Sequence, residues 1–259
     1  MVINLRLWCV LSLFALCALP AHAWAQGIVD TLPRVKPSVV GIGTHHPIRT
    51  PRVQLAGTGF VVGDGLTVAT NAHVIARELD TARRETLAVL IPRGEQVEVR
   101  PAERIAADAT HDLVLLRIQG EPLPALALGD SDRVREGQTL YFTGYPLGAA
   151  LGLHPATHRA GLAAVAPIYT PPPTASRLTP QLIRRAEDRY VIFQLDAIAY
   201  PGNSGSPLYD PDTGQVLGIV NSVFVKGAKE NALKDPSGIA YAIPVNPLKA
   251  LIERSIRRP

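Results

Sequence analysis

The feature that most restricts this chain is the spacing of its β-forming runs. Val39-Val40-Gly41-Ile42 is followed by Gly57-Thr58-Gly59-Phe60-Val61-Val62, and a Gly63-Asp64-Gly65 turn leads straight into Leu66-Thr67-Val68-Ala69-Thr70. β-branched and apolar residues on both sides of a glycine turn read as a hairpin. Further runs of this kind stand at 86–91, 96–100, 113–118, 139–143, 190–195, 215–220 and 238–243. Many short strands with turns between them fold as a sandwich or a pair of barrels, not as βαβ units, whose parallel strands need a long crossover. Helical periodicity is clear only at the end. Asn246 reads as a cap, Pro247 suits the first helical position, and Leu248, Leu251, Ile252 and Ile256 share one face. Two stretches read as loops. One is 43–56, with His45, His46, Pro47 and Pro51; the other is 145–189, with the tract Pro171-Pro172-Pro173 and a short helix at 180–188. A connection as long as the second is uncommon without a functional or regulatory use.

Composition narrows the class. With 259 residues, 47% of them hydrophobic and 19% charged, the chain can bury a sizeable core. The net charge of +4 is modest and the signs are interspersed, so the basic stripe with interleaved aromatics that nucleic-acid binding needs is missing. At the N-terminus, Arg6 precedes an apolar run from Leu7 to Leu19, then Pro20 and the small-x-small sites Ala21-His22-Ala23 and Ala23-Trp24-Ala25. This predicts a signal peptide over 1–25, a periplasmic or secreted protein, and no stable membrane insertion after cleavage. Both cysteines, Cys9 and Cys17, lie inside that segment, so the exported chain would have neither a disulfide nor a thiol nucleophile.

A serine nucleophile is the remaining option. Ser204 sits in Pro201-Gly202-Asn203-Ser204-Gly205, and all 7 histidines precede it. That order excludes the α/β-hydrolase arrangement of lipases and esterases, in which the serine comes first and the histidine last. It leaves His…Asp…Ser or Asp…His…Ser. His73 lies in "VATNAHVIA", at the end of a predicted strand. Asp112 opens the apolar run "HDLVLLRI", where a carboxylate at the mouth of a buried strand needs donors, and a histidine N–H is one. His111 is the rival base, but adjacent strand positions face opposite ways. Metal chemistry has little support. His45-His46 is an adjacent pair on a loop, and His154…His158 has helical spacing but stands among Gly and Pro with no acid nearby. No metal and no cofactor are expected.

The blocks "GTGFVV", "TNAHV", "HDLVLL" and "PGNSGSPL", in that order, resemble trypsin-fold serine proteases of the HtrA/Deg type, and the resemblance runs from "VKPSVVGI" to "GIAYAIPVNPLKALIERSI". It implies an all-β fold of two six-stranded antiparallel β-barrels with the active site between them, plus a C-terminal helix. The protease domain would fill 26–259, with barrels at about 36–125 and 135–245 and the helix at 246–257. It implies a catalytic triad of His73, Asp112 and Ser204. An oxyanion hole would lie on Gly202, Asn203 and Ser204, with the Gly202 and Ser204 N–H groups as donors. The partners implied are protein or peptide substrates, and homo-oligomerisation is left open.

Three departures sharpen the reading. The residue before the serine is Asn203, which has no charge to pair with a freshly cut N-terminus, so the trypsin-type activation of a start such as Ile28-Val29 is not expected. The chain stops soon after the protease helix, so PDZ-mediated peptide sensing is not expected of it. "GNSGSPL" is also similar to glutamyl endopeptidases of the V8 type, but Val220 stands where their acid-reading histidine would be. The expected substrate pocket, Ile198, Ala199, Tyr200, Val220 and Asn221, carries no charge, which predicts cleavage after small or medium apolar residues. The competing expectation is a latent or inactive protease-fold module that acts as a binding or chaperone-like protein.

Overall fold

Leu113-Val114-Leu115-Leu116 is buried along its whole length, because its strand has a hydrophobic neighbour on each face. Val114 and Leu116 point into one barrel with Val40, Val61 and Val68. Leu113 and Leu115 point the other way, into a second cluster shared with Tyr209, Ile219 and Ile243 from a second barrel. Side chains alternate across a strand with a period of two, so an unbroken apolar run marks a strand between two cores.

The computed structural model describes residues 27–94, 96–146, 153–167, 190–221 and 238–257. The signal-peptide segment and the short helix expected at 180–188 lie outside these residues. Strands β1 (Val39–His45), β2 (Val53–Val62), β3 (Thr67–Asn71), β4 (Thr86–Arg93), β5 (Gln96–Asp108) and β6 (Leu113–Ile118) close a barrel in the order β1-β2-β3-β6-β5-β4. Strands β7 (Thr139–Gly144), β8 (Ala156–Pro167), β9 (Val191–Asp196), β10 (Pro207–Tyr209), β11 (Val216–Val220) and β12 (Ile239–Pro244) close a second, in the order β10-β11-β12-β9-β8-β7. The pairings are antiparallel throughout both barrels. Closure leaves no sheet edge exposed. The second barrel holds its own core of Leu140, Phe142, Leu162, Phe193, Leu195 and Val220.

Several elements differ from the sequence expectation. The stretch 145–189 is not a continuous loop, because β8 occupies Ala156–Pro167 between β7 and β9. Its sequence ATHRAGLAAVAP is built from small residues with a low strand preference, and pairing on both sides overrides that preference. β10 is only three residues long and begins on a proline, so no periodicity could announce it. β2 starts at Val53, which shortens the loop read at 43–56. A helix not expected from the sequence, α1 (Ile28–Val35), precedes the first barrel. Pro33 inside it masks the helical pattern. Buried Val35 and the flanking Ile28 pack against the core between the barrels, and Thr31 Oγ1 donates to the Asp212 carbonyl at 3.3 Å.

The C-terminal helix α2 (Asn246–Ile256) is present, with two corrections. Val245 is its N-cap; Asn246 is the first helical residue, and its side-chain N–H donates to Asp130 Oδ1 at 3.0 Å. Leu248 and Leu251 are buried with Ile252 against them, but Ile256 is 77% exposed, since the helix runs past the core before it ends. Among the described residues, no helix is long and apolar enough to cross a membrane.

Candidate active site

β3 ends at Asn71, and the chain enters a single 3-10 turn, Ala72–Ile75, that carries His73. Asp112 comes from the loop between β5 and β6 and has φ 53, in the left-handed region that L-residues occupy at a cost. The two segments are stitched together through the backbone: the Asp112 carbonyl accepts the Ala72 N–H at 3.0 Å and the Asn71 side-chain N–H at 3.2 Å. The Asp112 carboxylate then meets His73 twice. Oδ1 accepts the His73 backbone N–H at 2.9 Å, and Oδ2 lies 2.5 Å from His73 Nδ1.

An ionised carboxylate only accepts, so Nδ1 must carry the proton of this contact, which leaves Nε2 of a neutral ring with its lone pair. Both side chains are 25% exposed, which keeps them within reach of a substrate cleft. A third donor comes from the other barrel: Asn221, directly after β11, donates its side-chain N–H to Asp112 Oδ2 at 2.8 Å.

The rival base is engaged elsewhere. His111 Nδ1 lies 3.0 Å from Asp108 Oδ2, and the His111 ring stacks at a tilt on Tyr190, 4.7 Å between centroids.

Ser204 sits in a loop just before β10 and is 5% exposed. The loop is clamped from both barrels. Thr58 of β2 donates its N–H to the Ser204 carbonyl at 2.9 Å and its hydroxyl to the Gly202 carbonyl at 2.7 Å. The Gly205 N–H donates to the Val220 carbonyl at 2.9 Å. Thr70, three positions before His73, donates its hydroxyl to the Thr58 carbonyl at 2.6 Å, so one chain of bonds ties the serine loop to the histidine segment.

Two glycines make the approach possible. Gly202 and Gly205 have φ 98 and φ 87, and a Cβ on Gly205 would stand 2.0 Å from the Thr58 carbonyl oxygen. Asn203 is fully buried, and among the described residues neither its side-chain amide nor the Ser206 hydroxyl has a hydrogen-bond partner.

The remaining expected site residues divide. Ile198 is exposed, and Ala199 and Tyr200 are half-buried on the segment that leads to the serine. Val220 is fully buried in the core of the second barrel. Asn221 turns its amide to the Asp112 carboxylate. The Asn203 N–H, expected near the oxyanion hole, donates to the Tyr200 carbonyl at 3.0 Å and closes the turn.

Of the histidines weighed as metal candidates, His46 Nδ1 accepts the Ile48 N–H at 3.3 Å, and His158 lies on strand β8, where its spacing from His154 is not helical. His158 stacks on Phe142, 4.8 Å between centroids, and burial pushes its imidazole below the ordinary histidine range. Sequence reasoning missed Thr58 as the clamp and Asn221 as the third donor. The "GTGF" block was the only signal for the first, and no signal existed for the second.

The trypsin-like peptidase domain family matches residues 57–219. The mitochondrial serine protease HTRA2 of Bos taurus is 34% identical over 237 residues, which cover 89% of this chain and 43% of the relative. Human serine protease HTRA3 is 31% identical over 221 residues, covering 84% of this chain and 42% of the relative. A probable periplasmic serine endoprotease, DegP-like, of Halomonas elongata is 29% identical over 191 residues, covering 73% and 33%. The chain therefore spans less than half the length of these relatives. Among solved structures, the HtrA-type protease AlgW with tripeptide aligns with TM-score 0.62 at 25% identity, covering 89% of this chain and 64% of that one. AlgW with decapeptide aligns with TM-score 0.64 at 22% identity, covering 89% and 68%, a likeness of fold.

Proposed function

Because the chain belongs to the trypsin-like peptidases, in their HtrA branch, we propose that it is an exported serine endopeptidase that cuts unfolded or flexible protein segments. The observation that carries this reading is the Asp112 carboxylate, held by the His73 N–H, the His73 ring and Asn221, on the far side of His73 from the ring nitrogen a nucleophile would use. In the proposed reaction His73 Nε2 takes the proton of Ser204 Oγ as it attacks the scissile carbonyl. Asp112 stabilises the imidazolium that forms, and His73 returns the proton to the leaving amine. The Gly202 and Ser204 N–H groups are the proposed donors to the oxyanion. The positive φ of Gly202 supports that role, because a side chain there would be strained.

Peptide segments as substrates are supported by the tripeptide recorded with AlgW. Uncharged Ile198, Ala199 and Tyr200 support cleavage after small or medium apolar residues, since a buried charge on the substrate would find no counter-ion among them. Export is supported by the apolar run Leu7–Leu19 and by the periplasmic name of the Halomonas relative; the bovine relative's name is mitochondrial.

The test compares wild type with Ser204→Ala on unfolded casein and with a fluorophosphonate probe. Wild type should turn over substrate and label, and the variant should lose at least about 10³-fold in rate and all labelling. Wild type that neither turns over nor labels would hand the reading to a binding module. A peptide library dominated by Lys, Arg or Glu at the cleaved position would overturn the specificity, and a full-length mass including residues 1–25 confined to the cytoplasmic fraction would overturn export.

A further inference from the structure

Asp112 stands in the left-handed region, which aspartate tolerates better than most L-residues but still occupies at a cost. β5 and β6 pair through Asp108 opposite Leu113, so the hairpin loop is Ala109-Thr110-His111-Asp112, without glycine or asparagine. An L-residue in the left-handed region costs roughly 1–2 kcal/mol, so something around the turn must hold it.

Asp108 is placed to do so. It is the last residue of β5, and its Oδ1 accepts the His111 backbone N–H at 3.2 Å. Its Oδ2 lies 3.0 Å from His111 Nδ1 and accepts an N–H of Arg254 on α2 at 3.1 Å. One buried-side carboxylate thus closes the loop from within and ties it to the C-terminal helix. Tyr190, at the entry to β9, packs on the His111 ring and completes the fixture from the second barrel. Burial alone would raise the Asp108 carboxyl, but the His111 N–H, the His111 ring and Arg254 outweigh it and hold the group below its ordinary range. The anion is therefore present at neutral pH.

We propose that Asp108 is a positioning residue for Asp112, acting through the His111 turn and anchored by Arg254. The proposal rests on the endopeptidase reading above. Without Asp108 the loop relaxes toward ordinary dihedrals, and the Asp112 carboxylate leaves the position where it meets both His73 donors. The effect falls on the charged transition state, not on substrate binding. The Arg254–Asp108 pair is a half-exposed ion pair and adds little stability by itself. Its contribution is directional.

The experiment measures kcat, KM and active-site titre with a fluorophosphonate for wild type, Ser204→Ala, Asp108→Ala, Asp108→Asn and Arg254→Met. Rates are corrected for the folded fraction. Asp108→Ala should lose about tenfold in kcat with KM within about twofold, because the lost interaction acts in the transition state only. Asp108→Asn keeps an acceptor for the His111 N–H and should recover most of that loss. Arg254→Met should lose about two- to threefold in kcat with unchanged KM. Asp108→Ala at wild-type kcat, or an equal loss in Asp108→Asn and Asp108→Ala, overturns the proposal. If Asp108→Ala does not fold, Arg254→Met decides: wild-type kcat in that variant overturns it. Wild type that fails to label, or labelling that survives in Ser204→Ala, overturns the endopeptidase reading and this proposal with it, and is distinguished by the wild-type and Ser204→Ala lanes alone.

Discussion

Asn221 of the second barrel donates its side-chain N–H to Asp112 of the first at 2.8 Å. The bond crosses the junction between two closed sheets and lands on the carboxylate oxygen that also meets the His73 ring. The catalytic machinery proposed for this chain therefore depends on how the barrels dock, and each barrel alone carries an incomplete set.

Replacing Asn221 with Ala removes one donor from an ionised acceptor. A hydrogen bond to a charged group is worth about 1.5–3 kcal/mol, so kcat should fall by about tenfold or more while KM stays near wild type. Asn221→Asp should be worse at neutral pH, because two carboxylates in contact cannot both ionise without cost. Steady-state kinetics of the two variants checks this, and wild-type kcat in both would remove Asn221 from the reaction.

Gly205→Ala should be among the most damaging single methyl additions in the chain. The new Cβ would stand 2.0 Å from the Thr58 carbonyl in a backbone conformation that disfavours L-residues. Either the serine loop moves away from β2 or the protein unfolds. The expected result is a loss of fluorophosphonate labelling together with a lower thermal midpoint, and a variant that labels at the wild-type rate would contradict the clamp.

Acid should weaken the fold through Glu85. This buried carboxylate accepts the Asp80 N–H at 3.0 Å and the Thr44 hydroxyl at 2.7 Å, and pairs with Arg77 and Arg49. The Asp80 N–H, the Thr44 hydroxyl and the two guanidinium groups outweigh burial and hold its pKa at about 2, against an ordinary 4.5. The unfolded chain therefore binds the proton first, and the stability Glu85 contributes is full above about pH 4.5 and is lost as pH falls toward about 2. Urea midpoints for wild type and Glu85→Gln should converge across that window, with the variant about 1–3 kcal/mol less stable at pH 7. Parallel curves would show that Glu85 is not the titrating group.

Leu115→Ala tests the junction itself. Leu115 is fully buried in the cluster shared by both barrels, and truncating a buried leucine costs about 2–5 kcal/mol. Activity should fall before the global transition on heating, because the Asn221–Asp112 bond spans the weakened interface. Coincident loss of activity and of far-UV signal would argue that the barrels separate only when they unfold.

The strand-rich class and the order of the chemistry were legible in the chain. Runs such as Leu113–Ile118, short and apolar between turn residues, read as strands, and seven histidines before Ser204 leave only two triad orders. The resemblance carried by "TNAHV", "HDLVLL" and "PGNSGSPL" supplied the two-barrel expectation, which the topology bears out. What stayed hidden had no local signature. β8 has five alanines among its 12 residues and is a strand because β7 and β9 flank it. α1 hides behind Pro33 and forms where it can cover the junction. Asn221 is expected from the sequence only as a pocket residue, and Asp108 lies beyond the strand expected at 96–100, which the structure extends to Gln96–Asp108.

Sequence by itself determined which side chains exist, in what order, and the strand-rich class with a C-terminal helix, because periodicity and turn chemistry are short-range properties. Only the tertiary structure decided that Thr58 grips the serine loop, that Asp112 sits in a left-handed turn closed by Asp108, and that Asn221 completes the carboxylate. The Thr58 and Asn221 contacts join residues far apart in the chain and follow from barrel closure and docking, and the Asp108 closure, though local, is tied to the C-terminal helix through Arg254, which no local pattern records.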